Sequence, residues 1–535
     1  MTTPAVKIQK RTMEKALGIP GLFSIGYGNV GSSIYYALGI VAFSALGATP
    51  LAFLIAGLFF AFTALTYAEG AAMYPESGGS STFARYAFNE FISFVAGWAL
   101  MLDYIVTIAI SSYSAVAYLG YFWPPLQHTP AIGALFAIVL VAMLCLINIV
   151  GTRESVKVNN TLVVADLSTQ LLIALLGFLL LFSLPTLLSW QHTMSSIAGN
   201  KPVAEWPSLQ AFIYSISIAM VAFTGIESVA QMAEEAKEPQ RNIPRAVLLV
   251  ILAVGLLYAS VNLIAFSAIP PHEMGTTWKL NPVQGITHAL SGKLPFLENL
   301  LGPWIAILAA AILIIATNAG ILGSSRLAYS MGNHRQLPGV LYKLHPKFKT
   351  PYLAITFYGL VTVCLLATGL FSSKLLDNLA DLYSFGALLS FVIAHAAIIV
   401  LRWKKPDIER PFRLPINFSF KGRQIPLSAV LGLAATLTTW FVVVITHPWG
   451  RTVGFLWLLA GILMYAIHRQ HEELPLTTTV VMSGVDPILV PMNLKRILVP
   501  TIGTSFSEEM VAVACRLAKR EKASVRAIYI FEVPP

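Results

Sequence analysis

Charged residues are scarce in this 535-residue chain. Asp, Glu, Lys and Arg make up 11% of it, whereas 56% is hydrophobic and the mean hydropathy is +0.72. Soluble globular domains are about one quarter charged. The shortfall excludes a protein whose surface mostly faces water, because too few ionic groups are present to cover it. A lipid bilayer is the solvent that this composition fits.

Cysteine is also scarce, and motifs of catalysis are missing. Cys145, Cys364 and Cys515 lie far apart and show neither metal spacing nor a disulfide framework. The chain has no nucleophile elbow, no Walker-type phosphate loop and no His/Cys cluster, so we expect no enzyme, cofactor or metal site. Basic residues are not clustered on a folded domain, which argues against a nucleic-acid partner. The polar first 18 residues predict no cleavable signal peptide.

Long apolar runs are abundant, and each has the roughly 20 residues that a membrane-spanning helix needs. Unbroken runs such as 171–182 exclude the alternating strands of a barrel. The sequence predicts an all-α polytopic protein with about twelve transmembrane helices, at residues 20–46, 50–73, 91–122, 130–150, 160–185, 208–232, 244–269, 301–329, 352–371, 379–401, 427–447 and 451–468.

The placement of positive charge supports an even number of helices. With a cytoplasmic N-terminus, all but five of the 35 Lys and Arg residues fall on the cytoplasmic side; the five are Lys201, Lys279, Lys293, Lys374 and Arg451. We therefore expect a multi-pass protein of the inner (plasma) membrane with both termini in the cytoplasm. The net charge of +10 follows from this topology and from the anionic lipid of the inner leaflet.

The composition changes near the C-terminus. We expect a cytoplasmic tail at 1–18, a transporter domain at 19–470, a linker at 471–492 and a short α/β segment at 493–535. In that segment, strands at 495–500 and 524–531 flank a helix at 505–519, as in a parallel βαβ unit. Such a unit is too small to be stable alone. It must dock on the membrane part, pair with a second copy in a homodimer, or be the remnant of a longer domain.

Two predicted helices are interrupted by small polar residues. Helix one carries Gly28-Asn29-Val30-Gly31-Ser32-Ser33, and helix six carries Phe223-Thr224-Gly225. Matching interruptions in two halves are typical of a transporter's midplane site, where free amides hold an anionic group. The other explanation is close helix packing by small residues. The helices lie five apart, so the two halves would have inverted topology.

Three acidic residues within the predicted spans are candidates for a functional role: Asp103 in helix three, Asp166 in helix five and Glu227 after the second interruption. A carboxylate at bilayer depth costs about 2.5–3.5 kcal/mol on insertion scales. We predict that these groups carry the coupling proton; the alternative is a structural hydrogen bond to a broken helix. We expect no Lys or Arg deep in the membrane to be available as a partner, so at least one acid is neutral at times.

A polar stripe follows Asp103 at helical spacing. Thr107 and Ser111 share its face, and Tyr104 is adjacent. Such a stripe lines a pathway or packs on another helix, and we predict the pathway. His395 stands alone among apolar neighbours, which is more typical of a structural residue.

At these residues the chain resembles the amino acid–polyamine–organocation (APC) superfamily. The resemblance covers about residues 12–415 through ordered blocks: PESGGSSTFAR (75–85), GWALMLDYIVTIAIS (97–111), GTRESVKVNN (151–160), FTGIESVAQMAEEAKEPQRNIPRA (223–246), SRLAYSMGNHRQLP (325–338), HPKFKTP (345–351) and RPFRLP (410–415). Residues 495–535 resemble the first βαβ unit of a universal-stress-protein domain.

The resemblance implies a five-plus-five inverted repeat of the LeuT type, with helices one and six broken and two further helices. It implies that a substrate carboxylate binds at Gly31, Ser32, Ser33 and Ile34. It implies that the substrate amine binds near Phe223, Thr224 and Gly225.

The chain departs from the family pattern at several positions. Asp166 stands where many members have a lysine, and Val221 stands where many have an aromatic gate. The first helix and Asp103 also resemble KUP-type potassium importers of the same superfamily, but Asn29 replaces their aspartate. In the tail, Ile502 stands where stress-protein domains usually have an acid, and the chain ends before their nucleotide contacts.

We therefore expect a secondary transporter that moves an amino acid or related amine by alternating access, coupled to protons. The sequence leaves two alternatives open: a KUP-like importer of potassium or another small cation, and a membrane nutrient sensor that binds ligand without net flux.

Overall fold

The computed structural model describes residues 15–151, 156–196, 202–348, 350–479, 496–501 and 524–529, with residues 511, 514, 515 and 518. The chain divides into two compact units. One spans Thr12–Val481, and the other comprises Met1–Arg11 and Met482–Pro535. Residues 1–14 of the predicted N-terminal tail, residues 480–492 of the predicted linker and most of the predicted tail helix at 505–519 lie outside the described residues.

The larger unit is helical. Its helices are α1 (Ile19–Gly31), α2 (Ile34–Ala45), α3 (Thr49–Met73), α4 (Ser80–Ala87), α5 (Glu90–Leu119), α6 (Pro125–His128), α7 (Pro130–Val150), α8 (Val156–Leu180), α9 (Leu184–Ser189), α10 (Leu209–Ala219), α11 (Glu227–Gln231), α12 (Pro239–Ala268), α13 (Pro271–Thr276), α14 (Pro282–Ser291), α15 (Phe296–Asn333), α16 (Tyr352–Ala367), α17 (Leu375–Lys404), α18 (Leu427–Thr446) and α19 (Pro448–His471). Short 3₁₀ turns lie at Leu46–Ala48, Trp190–His192, Met220–Phe223 and Thr368–Leu370.

Strands occur only in pairs among the described residues. The larger unit has antiparallel hairpins β1 (Met194–Ser196) with β2 (Pro202–Ala204), and β3 (Asn417–Phe420) with β4 (Arg423–Pro426). In the smaller unit, β5 (Arg496–Thr501) pairs in parallel with β6 (Ser524–Tyr529), with Arg496 opposite Ser524. A parallel pair needs a crossover between its strands, so the observed pairing agrees with the βαβ unit predicted for the tail.

Eleven stretches of the described chain are long and apolar enough to cross a membrane. The first, Ile19–Met73, has 55 residues, about twice the length that one crossing needs. Its two ends lie beside the same segment: the Leu17 amide donates to Glu235 O, and Ser77 Oγ donates to Gln231 O. The stretch therefore crosses out and back, which gives the twelve crossings that the sequence predicts.

The two interrupted helices run in opposite directions. Leu17 forms a parallel bridge with Ala236, Gly26 packs against Val229, and Asn29 lies against Gly225. Successive residues along α1 therefore contact residues of progressively lower number in and just after helix six. Opposed broken helices are the geometry that an inverted repeat requires.

Candidate substrate and proton site

The interruptions of helices one and six touch each other. Gly225 has φ +113°, and a Cβ there would lie 2.8 Å from Asn29 Cβ and 3.0 Å from the Asn29 carbonyl carbon. Only glycine fits such a position, because both the dihedral angle and the space exclude a side chain. Tyr258 of α12 joins the two interruptions, since its hydroxyl donates to Val30 O and, at 3.0 Å, to Ala222 O.

The interruption of helix one is a tight turn. Ser32 and Ser33 keep near-helical dihedral angles, and the Ser33 amide donates to Val30 O at 3.1 Å. The Ser33 hydroxyl lies 2.8 Å from the Tyr36 hydroxyl. The Ile34 amide faces the Tyr258 hydroxyl. Two of the amides that the resemblance assigns to a substrate carboxylate are therefore occupied by internal partners in this conformation.

Helix six, in contrast, is fully unwound at Thr224 and Gly225. Thr224 is extended (φ −76°, ψ 157°) and 1% exposed. Within the described chain, the Phe223 and Thr224 carbonyl groups accept no hydrogen bond. Buried carbonyls are almost always paired, so these two consecutive carbonyls can accept hydrogen bonds from a donor that enters the interruption. The Phe223 ring stacks on Phe60, with centroids 5.3 Å apart, and contacts Tyr258 at 5.0 Å.

Asp103 and Glu227 form a buried carboxyl pair. Each residue is 1% exposed, and the two groups lie within hydrogen-bonding reach of each other. Glu227 Oε2 also accepts the Gly225 amide at 3.1 Å, which is the structural capping role considered above. Neither Asp103 oxygen meets an N–H or hydroxyl donor within the described chain. Two carboxylates this close repel each other when both are charged, so the geometry allows a proton to be shared between them.

Polar side chains surround this pair. The Tyr104 hydroxyl and the Gln231 amide lie beside it, within hydrogen-bonding reach of each other. Thr107 Oγ1 donates to Asp103 O at 2.9 Å and lies 2.7 Å from the Tyr383 hydroxyl. The stripe predicted on helix three therefore faces α11 and α17, on the side of the interruptions.

Asp166 has a different environment. Its carboxylate accepts hydrogen bonds from Tyr27 (2.9 Å), Tyr35 (2.5 Å) and Gln170 (3.2 Å). Tyr27 lies in α1 and Tyr35 in α2, so Asp166 joins the two halves of helix one across its turn. A carboxylate with three donors is stabilised in its charged form. The geometry thus indicates that Asp166 holds the two halves of helix one together.

Glu69, which is fully buried in α3, is among the buried acids that were not predicted from the sequence. Arg402 binds its carboxylate with two hydrogen bonds of 2.8 and 2.7 Å, and the Leu414 amide donates to it at 2.8 Å. The expectation that the membrane helices hold no cation was wrong here, because α17 runs to Lys404, beyond the predicted end at 401. Arg410 approaches the same carboxylate, at 3.6 Å.

His395 has the structural role that its surroundings suggested. It is fully buried, and its ring nitrogens lie 3.2 Å from Thr63 Oγ1 and 2.9 Å from Thr66 Oγ1. A Cβ at Gly432 would lie 2.2 Å from the ring, so the imidazole fills the space of a missing side chain.

Comparison with known proteins agrees with this architecture. The family model for amino acid permeases matches residues 17–467. The chain is 29% identical to the branched-chain amino acid permease BcaP of Bacillus subtilis (87% of this chain, 95% of the relative). It is 27% identical to the methylthioribose transporter of the same organism (89% and 97%). It is 25% identical to the vacuolar cationic amino acid transporter 4 of Arabidopsis thaliana (74% and 64%). The chain therefore belongs to the amino acid permease family, a family of membrane transporters within the APC superfamily.

Proposed function

We propose that this protein moves an amino acid or a related amine across the cytoplasmic membrane by alternating access, coupled to protons. The observation that carries the proposal is the pair of unpaired carbonyls at Phe223 and Thr224, buried where the two interrupted helices meet. An ammonium group offers the donors that these acceptors lack.

The substrate carboxylate binds at the turn of helix one in this proposal. The amides there are bonded to Val30 O and Tyr258, so the carboxylate replaces internal partners as the turn opens. The substrate carboxylate then accepts the hydrogen bonds that the amides lose when the turn opens. Substrate binding is thereby linked to a change in the conformation of the turn. In the conformation described here, internal hydrogen bonds hold the turn closed.

The coupling proton resides on the Asp103–Glu227 pair. The pair is next to the helix-six carbonyls, since Glu227 accepts the amide of Gly225. A proton shared by two buried carboxyl groups is lost when one of them is exposed to water, and this ties protonation to the position of α11. Asp166 holds the two halves of helix one together through its hydrogen bonds with Tyr27 and Tyr35.

The termini are cytoplasmic in this proposal. Lys279 and Arg451 lie at the end of the bundle opposite Leu17, near Asp377 and Val444, respectively. The Leu17 end carries Arg326, Arg402 and other cations. This asymmetry supports a cytoplasmic Leu17 end.

The test is uptake into proteoliposomes with an imposed proton gradient. The panel contains branched-chain and cationic amino acids, glutamate, serine, methylthioribose and a potassium analogue. We expect one amine-bearing substrate to accumulate and the accumulation to collapse with the gradient. Potassium-analogue flux without amino-acid uptake would overturn the proposal, and binding without any flux would favour a sensor.

Three variants separate the roles of the acids. Glu227→Gln keeps an acceptor for the Gly225 amide but cannot release a proton, so we expect substrate exchange to persist and gradient-driven accumulation to disappear. Asp166→Asn weakens the hydrogen bonds that hold the two halves of helix one together, so both exchange and accumulation should fall. Glu409→Gln, in an exposed loop, is the matched control and should change neither. Accumulation by Glu227→Gln at the wild-type level would remove the coupling role from the pair.

A further inference from the structure

An exposed aromatic surface lies at the Leu17 end of the bundle, where α17 ends and the hairpin of β3 and β4 follows. We call it the Phe420 face; it consists of Trp403, Phe418 and Phe420, which are 43%, 41% and 50% exposed. The segment that leads into the hairpin is held at this end of the bundle, because the Leu414 amide donates to Glu69 at 2.8 Å. Neither the substrate site nor the carboxyl pair uses these rings.

The hairpin has two chemically different faces. Phe418 lies opposite Ile425 and Phe420 lies opposite Arg423, so both rings are on one face of the strand pair. The intervening residues lie on the other face, which is polar: Asn417, Ser419 and Gln424. On the aromatic face the protein buries Ile425, at 8% exposed, but leaves both rings half-exposed. This face therefore has room for a further apolar partner.

The position of the face relative to lipid is indicated by α17. Partly exposed apolar residues recur along this helix at helical spacing: Leu389, Val392, Ala396 and Ile399. Such a stripe on a membrane-spanning helix is its lipid-facing side. Trp403 follows Ile399 by four residues, so it extends the stripe by one turn, to the depth where tryptophan is enriched at membrane boundaries. The Phe420 ring lies 6.2 Å from the Trp403 ring, which places the hairpin beside this stripe.

Basic side chains flank the aromatic rings: Lys404, Lys405, Arg413, Lys421 and Arg423. Lys404 donates to Ala87 O at 3.0 Å, and the Lys421 ammonium lies 5.7 Å from the centre of the Phe420 ring. None of the five forms an ion pair with an acid of the described residues. The same segment has two exposed acids, Asp407 and Glu409, so positive charge is in excess around the rings.

We propose that the Phe420 face docks on the anionic surface of the lipid bilayer, with its rings among the headgroups and its cations near the lipid phosphates. Aromatic and basic side chains on an element with one polar face are the chemistry that binds such a surface. Ser419, on the opposite face, then points to water. The choice of anionic lipid rests on the cytoplasmic orientation proposed above, because anionic lipid is concentrated in that leaflet.

The first test places an environment-sensitive dye on each face of β3. The dye is attached to Phe420→Cys or to Ser419→Cys in a chain whose three native cysteines are replaced, and the protein is reconstituted in nanodiscs that contain phosphatidylglycerol and a spin-labelled lipid. We expect the spin label to quench the dye at position 420 several-fold more than the dye at 419, because adjacent strand residues lie on opposite faces. Equal quenching at the two positions would overturn the proposal. So would a dye at 420 that is shielded from both lipid and water, since a second copy or the α/β tail would then cover the face.

The second test concerns the charge of the lipid. Quenching at position 420 should be weaker in nanodiscs of phosphatidylcholine alone, and Arg413→Gln with Lys421→Gln should remove the difference between the two lipids. Lys343→Gln with Lys347→Gln is the matched control, because both lysines are exposed in the loop between α15 and α16 at the same end of the bundle. The control should keep the difference. Quenching that is the same in both lipids would exclude the anionic headgroup as the partner.

A third measurement decides the outcome if the cysteine-free chain does not fold. With native cysteines, thermal unfolding should move to higher temperature when phosphatidylglycerol is present, and added salt should reduce this gain. Arg413→Gln with Lys421→Gln should lose more of the gain than the control pair, and equal losses would overturn the proposal. Both leaflets of a nanodisc have the same lipids and no measurement uses transport, so these results are independent of the orientation and function proposed above.

Discussion

Gly225 shows how a single residue allows the two interruptions to meet. Its φ of +113° is costly for any residue with a side chain, and the Asn29 backbone occupies the place of a Cβ. These two constraints can be separated in this chain. Gly422, in the turn between β3 and β4, also has a positive φ (+74°), but nothing lies within 4 Å of its Cβ position.

We predict that Gly422→Ala costs about 1 kcal/mol and leaves transport intact, because only the dihedral angle is affected. Gly225→Ala adds a clash with Asn29, so we expect a loss of about 2–4 kcal/mol and loss of uptake. Thermal unfolding and proteoliposome uptake check both variants. Equal behaviour of the two would show that the contact between the interruptions is dispensable.

The sequence was informative about these residues to differing degrees. The glycines and acids of the interruptions were predicted because small and charged residues are conspicuous in apolar helices. The partners of Asp166 could not be predicted, since Tyr27 and Tyr35 are more than 130 positions away. The partner of Glu69 could not be predicted either, because Arg402 lies on the last turn of a helix whose end the hydropathy placed too early.

At the scale of elements, Tyr258 is the link between the interruptions. Its hydroxyl donates to Val30 O in helix one and to Ala222 O in helix six, while the rest of α12 packs along α3. A phenol that bridges two unwound segments fixes their separation. The sequence pattern predicted both interruptions but gave no sign of the bridge, because one tyrosine in an apolar helix has no distinguishing period.

We predict that Tyr258→Phe leaves two buried carbonyls with one partner fewer and costs about 1–3 kcal/mol. It should also weaken substrate binding, because the interruptions are no longer held in register. Tyr358→Phe is the control, since that buried hydroxyl meets only the sulfur of Met101, a weak acceptor. Binding by Tyr258→Phe at wild-type strength would mean that the bridge has no part in the site.

The Leu17 end of the bundle is closed by ionic groups. Glu69 joins α3 to Arg402 of α17, and Arg326 of α15 pairs with Glu235 at 3.2 Å. Outside the membrane helices, burial raises the pKa of the Tyr74 phenol to about 12, against the opposing effect of Arg410. Tyr74 therefore remains neutral at physiological pH and contributes a stacked ring, 3.9 Å from that of Tyr86.

At the scale of the whole molecule, length and charge defined the membrane part well. The twelve predicted spans correspond to the crossings in the structure because each apolar run must be about as long as the bilayer is thick.

The α/β tail was predicted less completely than the membrane part. Its two strands pair in parallel, and a βαβ unit alone is too small to be stable. A truncation can show whether transport requires the tail.

The end of the larger unit indicates where the chain can be cut. After α19 the backbone turns back, and the fully buried Arg469 donates to Pro475 O at 2.6 Å and to Thr478 O. The Tyr465 hydroxyl donates to Leu476 O. These contacts complete the helix end, and the compact unit itself ends at Val481.

We predict that a chain ending at Val481 folds and transports substrate at the wild-type rate, because every contact of Arg469 is kept. A chain ending at His471 should lose about 3–5 kcal/mol, because it leaves the buried guanidinium without acceptors. Unfolding midpoints and initial uptake rates of the two truncations check this. If the chain ending at Val481 folds but no longer transports, uptake requires the α/β tail, and the prediction is wrong.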